Sequence, residues 1–298
     1  MELRQLRTFE MVVRCGSFSQ AADELNLTQP AVTAQIQNLE RELGLRLLDR
    51  LPKRVLLTQA GETLLRYAQS LLNLEEEAYR ALAELKGLQG GCLRIGASPT
   101  IGTYLLPGML GEFKRCHPGL RLIAEIQPTH RVTEALLTHA LDLGLVEAPV
   151  DEEALSAETF HTDELVLIVP AGHPWAQRQL VRADELPQQP SVTREPGSGT
   201  RQLVEERLRA LGIEITPRLE LGAIEAIKNA VAAGLGISFV SRLAIQTEEK
   251  LGTLVVVPVE GLDLRRPLYC LQHKRRHVTP ATEAFLDFVK TGLLNKEN

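Results

Sequence analysis

No stretch of this chain reaches the ~18 consecutive apolar residues that a membrane-spanning helix needs, so a transmembrane segment is not expected. The opening run MELRQLRTFEMVVRCGSF is amphipathic and broken by Arg14, which does not make an export signal, and a cytoplasmic location is expected. Cys15, Cys92, Cys116 and Cys270 are scattered without a CxxC pair. They read as thiols packed like small apolar groups, not as disulfides, a metal site or a redox sensor. Catalytic signatures are missing too: there is no GxSxG turn to present a nucleophile and no GxxxxGK[ST] loop to cradle a nucleotide. Neither a solenoid repeat nor a low-complexity segment interrupts the chain. Positive charge is not in excess, since the formal net charge is −5. Spread evenly, that balance would exclude nucleic acid, but residues up to Thr58 carry a net +1 and the remainder −6. The 298 residues, 44% of them hydrophobic, suit two or three domains with real cores.

What is present begins at residues 17–57, where two short amphipathic helices, a tight connection and a basic hairpin follow one another. SFSQAADEL forms the first helix, with Ser17 or Ser19 as its cap and Ala21, Ala22 and Leu25 as a narrow apolar face. Asn26 and Leu27 make the turn. TQPAVTAQIQNLERELG follows, with Thr28 as cap, Pro30 in the first turn and Gly44 as the stop. Val32, Ile36, Leu39 and Leu43 recur at helical spacing as a core-facing stripe, so Pro30, Thr33, Ala34, Gln37 and Arg41 point away from it. Such a helix enters the major groove, where Gln29, Thr33, Gln35 and Gln37, with Pro30 beside them, meet base edges. RLLDRLPKRVLLTQAG reads as a wing whose Arg50, Lys53 and Arg54 lie against phosphates. An ordinary helical hairpin with a solvated polar face is the bland alternative, and the conjunction of helices, turn and basic wing weighs against it.

The residues FSQAADELNLTQPAVTAQIQNLERELGLRLLDR, closing with LTQAGE, resemble the DNA-binding end of the LysR-type transcriptional regulators, and the resemblance extends over essentially the whole chain. In that family Arg or Lys is common near Ala34 and Gln37, positions that are uncharged here. The run REPGSGTR, with GAIEAIKNAVAAGLGISFVS, further resembles the branch that controls autotrophic carbon fixation, or a neighbouring one in sulfur metabolism.

Beyond the wing, Thr58 caps a helix expected over residues 59–86, ended by the glycines of KGLQGG. Leu64, Ala68, Leu71, Ala78, Leu82 and Leu85 keep a heptad step on it, and its ~40 Å length exceeds the needs of a small head, so it should pair with a second copy. The alternative is a long helix packed inside its own subunit. From Cys92 the pattern alternates: CLRIGAS, LRLIAEI, LDLGLVE, LVLIVP and GISFVS read as strands, and residues 105–116, 132–140, 201–211 and 224–233 as helices. That rhythm means an α/β fold with parallel sheet. The resemblance implies more: a winged helix-turn-helix over 1–58, a linker helix and hinge over 59–90, and an effector domain over 91–298 built like type II periplasmic binding proteins. Lobe I would hold about 91–162 and 266–298 and lobe II about 163–265, with crossings near 161–164 and 264–267.

Open parallel sheets bind small molecules where strands end and helix N-termini begin. ASPTIGT offers Ser98 and Thr100, QPTHRV offers Thr129, and REPGSGTRQLV offers Glu195, Ser198 and Thr200, with Gly197 and Gly199 allowing close approach and Arg194 and Arg201 flanking. Each hydroxyl taken alone is most simply a helix cap. Together they point to a small anionic effector, carboxylate or phosphorylated, and the resemblance puts Ser98, Thr100, Thr129 and Thr200 in the effector cleft. No cofactor and no metal are expected: His273 and His277 of HKRRH sit in what reads as a surface bend, the G-L-G of AAGLGIS reads as a helix end, and Glu225 with Lys228 reads as a solvated pair. The expected partners are promoter DNA, the effector, further copies of the chain as a dimer or tetramer, and RNA polymerase. Two other readings stand beside this one: a constitutive DNA-binding dimer with a vestigial cleft, and an enzyme of related bilobal fold, which would not need the N-terminal head.

Overall fold

The computed structural model describes residues 1–51, 54–85, 91–147, 150 and 152–292. Lys53, Gly87 and Gly90, singled out above, lie outside the described residues. The chain divides into two compact units, Met1–Cys92 with Glu134–Asp142, and Leu93–Thr133 with Leu143–Asn298. Among the described residues no helix is long and apolar enough to cross a membrane.

The first unit opens with a helix that the sequence reading left as an amphipathic run, α1 (Leu3–Cys15). Its Leu6, Phe9 and Val12, three residues apart, are buried against the following helices, so the head has one more layer than the two-helix reading supplied. Then come α2 (Phe18–Glu24) and α3 (Gln29–Leu43). Ser17 is the cap of α2, its hydroxyl accepting from the Gln20 amide at 3.4 Å, and Thr28 caps α3 through the Ala31 amide at 3.4 Å. Asn26 takes the left-handed conformation (φ 53°) in the turn, which short polar side chains tolerate. Val32, Ile36 and Leu39 are fully buried, whereas Leu43, expected with them, is 37% exposed where the helix ends on Gly44. β1 (Leu48–Leu51) and β2 (Arg54–Leu57) form the antiparallel wing, fastened by the Val55 amide to the Gly16 carbonyl at 3.2 Å. The carboxylate of Glu40 accepts from the Leu47 amide at 2.9 Å and so holds the entry to β1 on the back of α3.

α4 (Gln59–Leu85) completes this unit. Its expected heptad stripe divides in two. Ala68 is buried and Leu64 half-buried in the core of the head. Tyr67, Leu71, Leu74, Ala78 and Leu82 lie at steps of four and three on another face and are exposed, Tyr67 at 66% and Leu82 at 57%.

Beyond α4 the chain forms β3 (Cys92–Ala97), a π-helical turn over Ile101–Leu105 running into α5 (Leu106–Cys116), β4 (Arg121–Ile126), α6 (Thr129–Leu137), whose residues from Glu134 belong to the first unit, and β5 (Leu143–Val146). β6 (Leu155–Pro170), β7 (Ser191–Arg194), α7 (Gly199–Ala210), β8 (Pro217–Leu221), α8 (Ile224–Ala232) and β9 (Ser238–Ser241) follow. α9 (Gln246–Leu251), β10 (Leu254–Val257), β11 (Arg265–His273) and α10 (Pro280–Gly292) close the chain. β3 runs parallel to β5 and β7 parallel to β8, as the alternation predicts. The longest strands depart from it: β6 and β11 are antiparallel to each other, and β9 and β10 are antiparallel to β6. The sheet order is β10-β6-β11-β5-β3-β4, with β9 also on β6.

β6 is therefore one 16-residue strand where the sequence suggested a strand preceded by a crossing segment. Up to Glu164 it pairs with β11; from Leu165 it pairs with β9 and β10, so one strand serves two halves. In the first half Phe113 and Phe285 meet edge-on at 5.0 Å, seating α10 on α5. The cysteines do not share one environment. Cys270 is buried, and burial pushes its thiol up to about 12, while Cys116 at the end of α5 is exposed and not packed as expected.

Gly61, in the first turn of α4, is buried where a Cβ would lie 2.1 Å from the Leu47 carbonyl oxygen. On an open helix surface, glycine to alanine would stabilise by about 1 kcal/mol. Here Gly61→Ala is expected to destabilise the head by roughly 1–3 kcal/mol, the cost of overpacking, as read by urea unfolding of the chain.

Candidate DNA-reading helix and effector cleft

On α3, Gln29, Pro30, Ala34 and Gln37 are exposed and Thr33 is half-buried, so the helix presents short side chains and amides along one side. The Gln29 amide oxygen accepts from the Ser19 hydroxyl at 3.1 Å, which fixes that side chain across α2 and α3. Gln35 is different. It is half-buried, and its amide oxygen accepts from the buried Thr8 hydroxyl at 2.7 Å, so it faces α1. Arg41 is held by Asn38 at 2.9 Å near the helix end. Arg50 lies on β1 and Arg54, exposed, opens β2.

In the second unit the hydroxyl-bearing turns fall where strands hand over to helices. Ser98 follows β3; its amide donates to the Leu145 carbonyl at 2.9 Å, and its hydroxyl is buried without a hydrogen-bond partner among the described residues. Thr100 is buried at the entry to the π-helical turn, a local distortion frequent at functional sites. Thr129 is the first residue of α6 and is half-buried. Ser198 and Thr200, both buried, stand at the start of α7. Glu195 is partly exposed and takes two hydrogen bonds from the buried Arg194, at 2.7 and 2.8 Å, which hold its carboxyl below the usual range.

The residues that organise this region were not on the sequence-derived set. Arg266 on β11 and Asp163 on β6 are cross-strand partners at the point where both strands pass between the halves. Both are buried, and the Arg266 Nε and Nη2 donate to Asp163 Oδ2 at 2.9 and 2.8 Å. The other carboxylate oxygen accepts from the Ser241 hydroxyl at 2.6 Å, and Arg266 Nη1 donates to Thr200 Oγ1 at 3.2 Å. Thr200 thus accepts from a cation and keeps its own O–H free to donate. The sequence did carry a signal: opposite charges, Asp163 and Arg266, stand inside the two segments predicted as crossings.

A second cluster joins the halves at their surfaces. Tyr104, from the π-helical turn, packs on the core around α8 and donates its hydroxyl to Glu225 at 2.7 Å. Lys228, expected as a solvated partner of Glu225, is instead buried: its ammonium meets Glu225 and Glu248 at 2.8 Å each and the Ala244 carbonyl at 2.9 Å, 5.4 Å from the centre of the Tyr104 ring. Burial, reinforced by Glu225, holds the Tyr104 phenol above its usual range. For Lys228 burial favours the neutral amine, and the two carboxylates outweigh it, leaving the group above its ordinary value. Arg201, the other flanking cation, is taken by Glu205 at 2.6 Å and Glu220 at 2.9 Å. Each of these cations is already matched by a carboxylate, while the amides in the first turn of a helix such as α7 have no intrahelical partner.

Removing one member of a buried ion pair leaves an uncompensated charge, at a cost of about 3–5 kcal/mol. Asp163→Ala is expected to destabilise the chain by that amount in urea unfolding, and Asp163→Ala combined with Arg266→Met to recover most of it.

Two family models match this chain. Residues 3–62 match the family described as bacterial regulatory helix-turn-helix protein, lysR family, and residues 86–294 match the LysR substrate binding domain. A probable RuBisCO transcriptional regulator of Trichormus variabilis is 38% identical over 289 residues, 95% of this chain and 86% of the relative. The RuBisCO operon transcriptional regulator of Allochromatium vinosum is 37% identical over 289 residues, 97% of this chain and 95% of the relative. Among solved structures, the regulatory domain of CcmR from Synechocystis PCC6803 in complex with 2-PG superposes with a TM-score of 0.65 at 29% identity, over 70% of this chain and 99% of that one. With both family models matched and relatives of this identity spanning nearly its full length, the chain belongs to the LysR family of transcriptional regulators, DNA-binding proteins and not enzymes.

Proposed function

We propose that the protein controls promoters of carbon-fixation genes in response to a small anionic metabolite held between the two lobes of its effector domain. The names of its relatives support the pathway. The observation that carries the ligand class is the Thr200 hydroxyl, pinned by Arg266 as a hydrogen-bond donor at the N-terminus of α7, where an oxyanion is stabilised by free amides. The 2-PG bound to the CcmR regulatory domain supports a small metabolite, and here a phosphorylated or simple carboxylate fits Ser98, Thr100, Thr129, Ser198 and Thr200. Glu195 stands with them at the effector site: partly exposed, it swings away from Arg194 and frees that cation for the ligand.

The working division of the chain is 1–58 for the head, 59–90 for the linker helix and hinge, and 91–298 for the effector domain, with lobe I as about 91–162 and 266–298 and lobe II as about 163–265. The stripe Tyr67, Leu71, Leu74, Ala78 and Leu82 pairs α4 with a second copy, giving a dimer that further contacts extend to a tetramer. Ligand binding shifts the population of lobe angles, and the paired helices carry that change to the spacing of the two heads on DNA. RNA polymerase is the downstream partner, and the site of action is the cytoplasm.

On DNA, Gln29, Pro30, Thr33 and Gln37 face bases, while Arg50, Lys53 and Arg54 face phosphates; Gln35 serves to hold α3 on α1. Gln29→Ala and Thr33→Ala should relax base preference by about 1–3 kcal/mol of discrimination, and Arg54→Ala should weaken binding to all sequences and lower the salt slope by about one. Binding to operator variants across a salt series checks this, and identical behaviour of the three variants would overturn the assignment.

For the effector, calorimetric titration of the full chain with phosphorylated and carboxylate metabolites is the test. Thr200→Val should weaken binding about tenfold or more, the scale of a hydrogen bond to a charged group, whereas Glu195→Gln should tighten it by removing the competing carboxylate. Binding confined to neutral or cationic compounds would sink the proposal.

A further inference from the structure

α7 does not close fully on the sheet beneath it. A cavity of about 230 Å³ runs along the helix from the Arg194 and Thr200 end to the connection between α7 and β8. Its apolar walls are Val204 and Leu208 from α7, Val192 and Ile237 from below it, and Ile213 and Ile215 from the connection, set among polar residues such as Thr193 and Thr216. Val192, Leu208 and Ile237 are buried, whereas Val204, Ile213 and Ile215 pack on the core that holds Leu208 and Ile237 and are only half-buried, so the cavity opens to solvent along their side. Ser238, next to Ile237 on the cavity wall, has a buried hydroxyl with no hydrogen-bond partner among the described residues.

The rim specifies charge. Glu205, on α7, is matched by Arg201 at 2.6 Å. Arg209 in the last turn of α7 and Glu214 just beyond it also line the cavity and are exposed, and their side chains have no hydrogen-bond or ion-pair partner among the described residues. One free cation and one free anion thus stand at the end of an apolar cavity remote from Thr200. A carboxylate alone would meet Glu214 and an amine alone would meet Arg209; a molecule with both charges satisfies each.

We propose that this cavity is a second ligand site, adjoining the effector cleft at Arg194 and Thr200 and distinct from it beyond that end, for an apolar α-amino acid: the side chain fills the space under α7, the carboxylate pairs with Arg209 and the ammonium with Glu214. The inference does not rest on the cleft reading. The two sites do share α7, whose first turn bears Ser198 and Thr200 and whose last turns bear Leu208 and Arg209, so occupancy of one biases the other, and the coupling is reciprocal.

The test is calorimetric or NMR titration of the full chain with L-phenylalanine and L-leucine, beside L-serine, 3-phenylpropanoate and 2-phenylethylamine. Saturable binding of either apolar amino acid is expected, at least tenfold tighter than the analogues that lack the ammonium, the carboxylate or the apolar side chain. Val204→Trp, which fills the cavity, should abolish it, and Arg209→Gln and Glu214→Gln, at exposed positions that the fold does not need, should each weaken it several-fold. Thr100→Val, in the cleft, should leave it unchanged. Failure of both amino acids to bind at millimolar concentration overturns the proposal, as does equal binding of the singly charged analogues or binding that survives in Arg209→Gln and Glu214→Gln together. Loss of binding in Thr100→Val would place the amino acid in the cleft and overturn the second site while leaving the cleft itself intact.

Discussion

The buried pair of Asp163 and Arg266 is the constraint on which the effector domain depends. Two antiparallel strands carry the chain between its halves, and at that point each contributes a charge that water cannot reach. The pair is tolerable because its remaining hydrogen-bonding capacity is used: Ser241 takes the second carboxylate oxygen and Thr200 the remaining guanidinium nitrogen. Those two hydroxyls belong to β9 and to the start of α7, so the ion pair ties the N-terminus of α7 to the strands that pass between the halves. A neutral pair of similar volume would pack as well, but it would leave the Thr200 hydroxyl free to rotate. The charge therefore contributes orientation more than stability.

Around this fixed point the contacts between halves are of another kind. Tyr104, Glu225 and Lys228 meet through side chains borne on a π-helical turn and on α8, with no strand joining them. Such a contact is made by side chains alone, a clasp, whereas β6 and β11 are joined by backbone pairing. The Ser98 hydroxyl, unpartnered among the described residues, lies three residues before the segment that carries the clasp. A ligand that bonds Ser98 acts on the turn that presents Tyr104.

Much of this was legible in the amino acids, and the exceptions have physical causes. Caps at Ser17 and Thr28, the stop at Gly44 and the wing were readable because they are local: each depends on a few neighbouring residues and on one backbone conformation. α1 escaped because its pattern was weighed only as a targeting signal, although Leu6, Phe9 and Val12 keep helical spacing. Gln35 and Leu43 show how far a helical wheel reaches, since a half-turn of geometry decides whether an amide meets Thr8 or solvent and whether a leucine at a helix end stays covered. The hydroxyls of Ser98, Thr129, Ser198 and Thr200 stand where strands hand over to helices, which the local pattern of strand, turn and helix makes readable. Lys228 did not follow from it: its two carboxylates come from its own helix and from α9, and only tertiary structure brings Glu248 to it. The same holds for the continuity of β6, whose polar first part, SAETFHTDE, looked like a connection until β11 was available to pair with it.

That last feature bears on how the protein is made. β5 lies between β3 and β11, and β11 is also the neighbour of the first part of β6, yet β11 is translated about 100 residues after both. On the ribosome, therefore, the first half waits with two open strand edges while the entire second half is synthesised. Its edges are exposed to aggregation throughout that interval, and the assembly step that ends it comes only when the last tenth of the polypeptide leaves the exit tunnel.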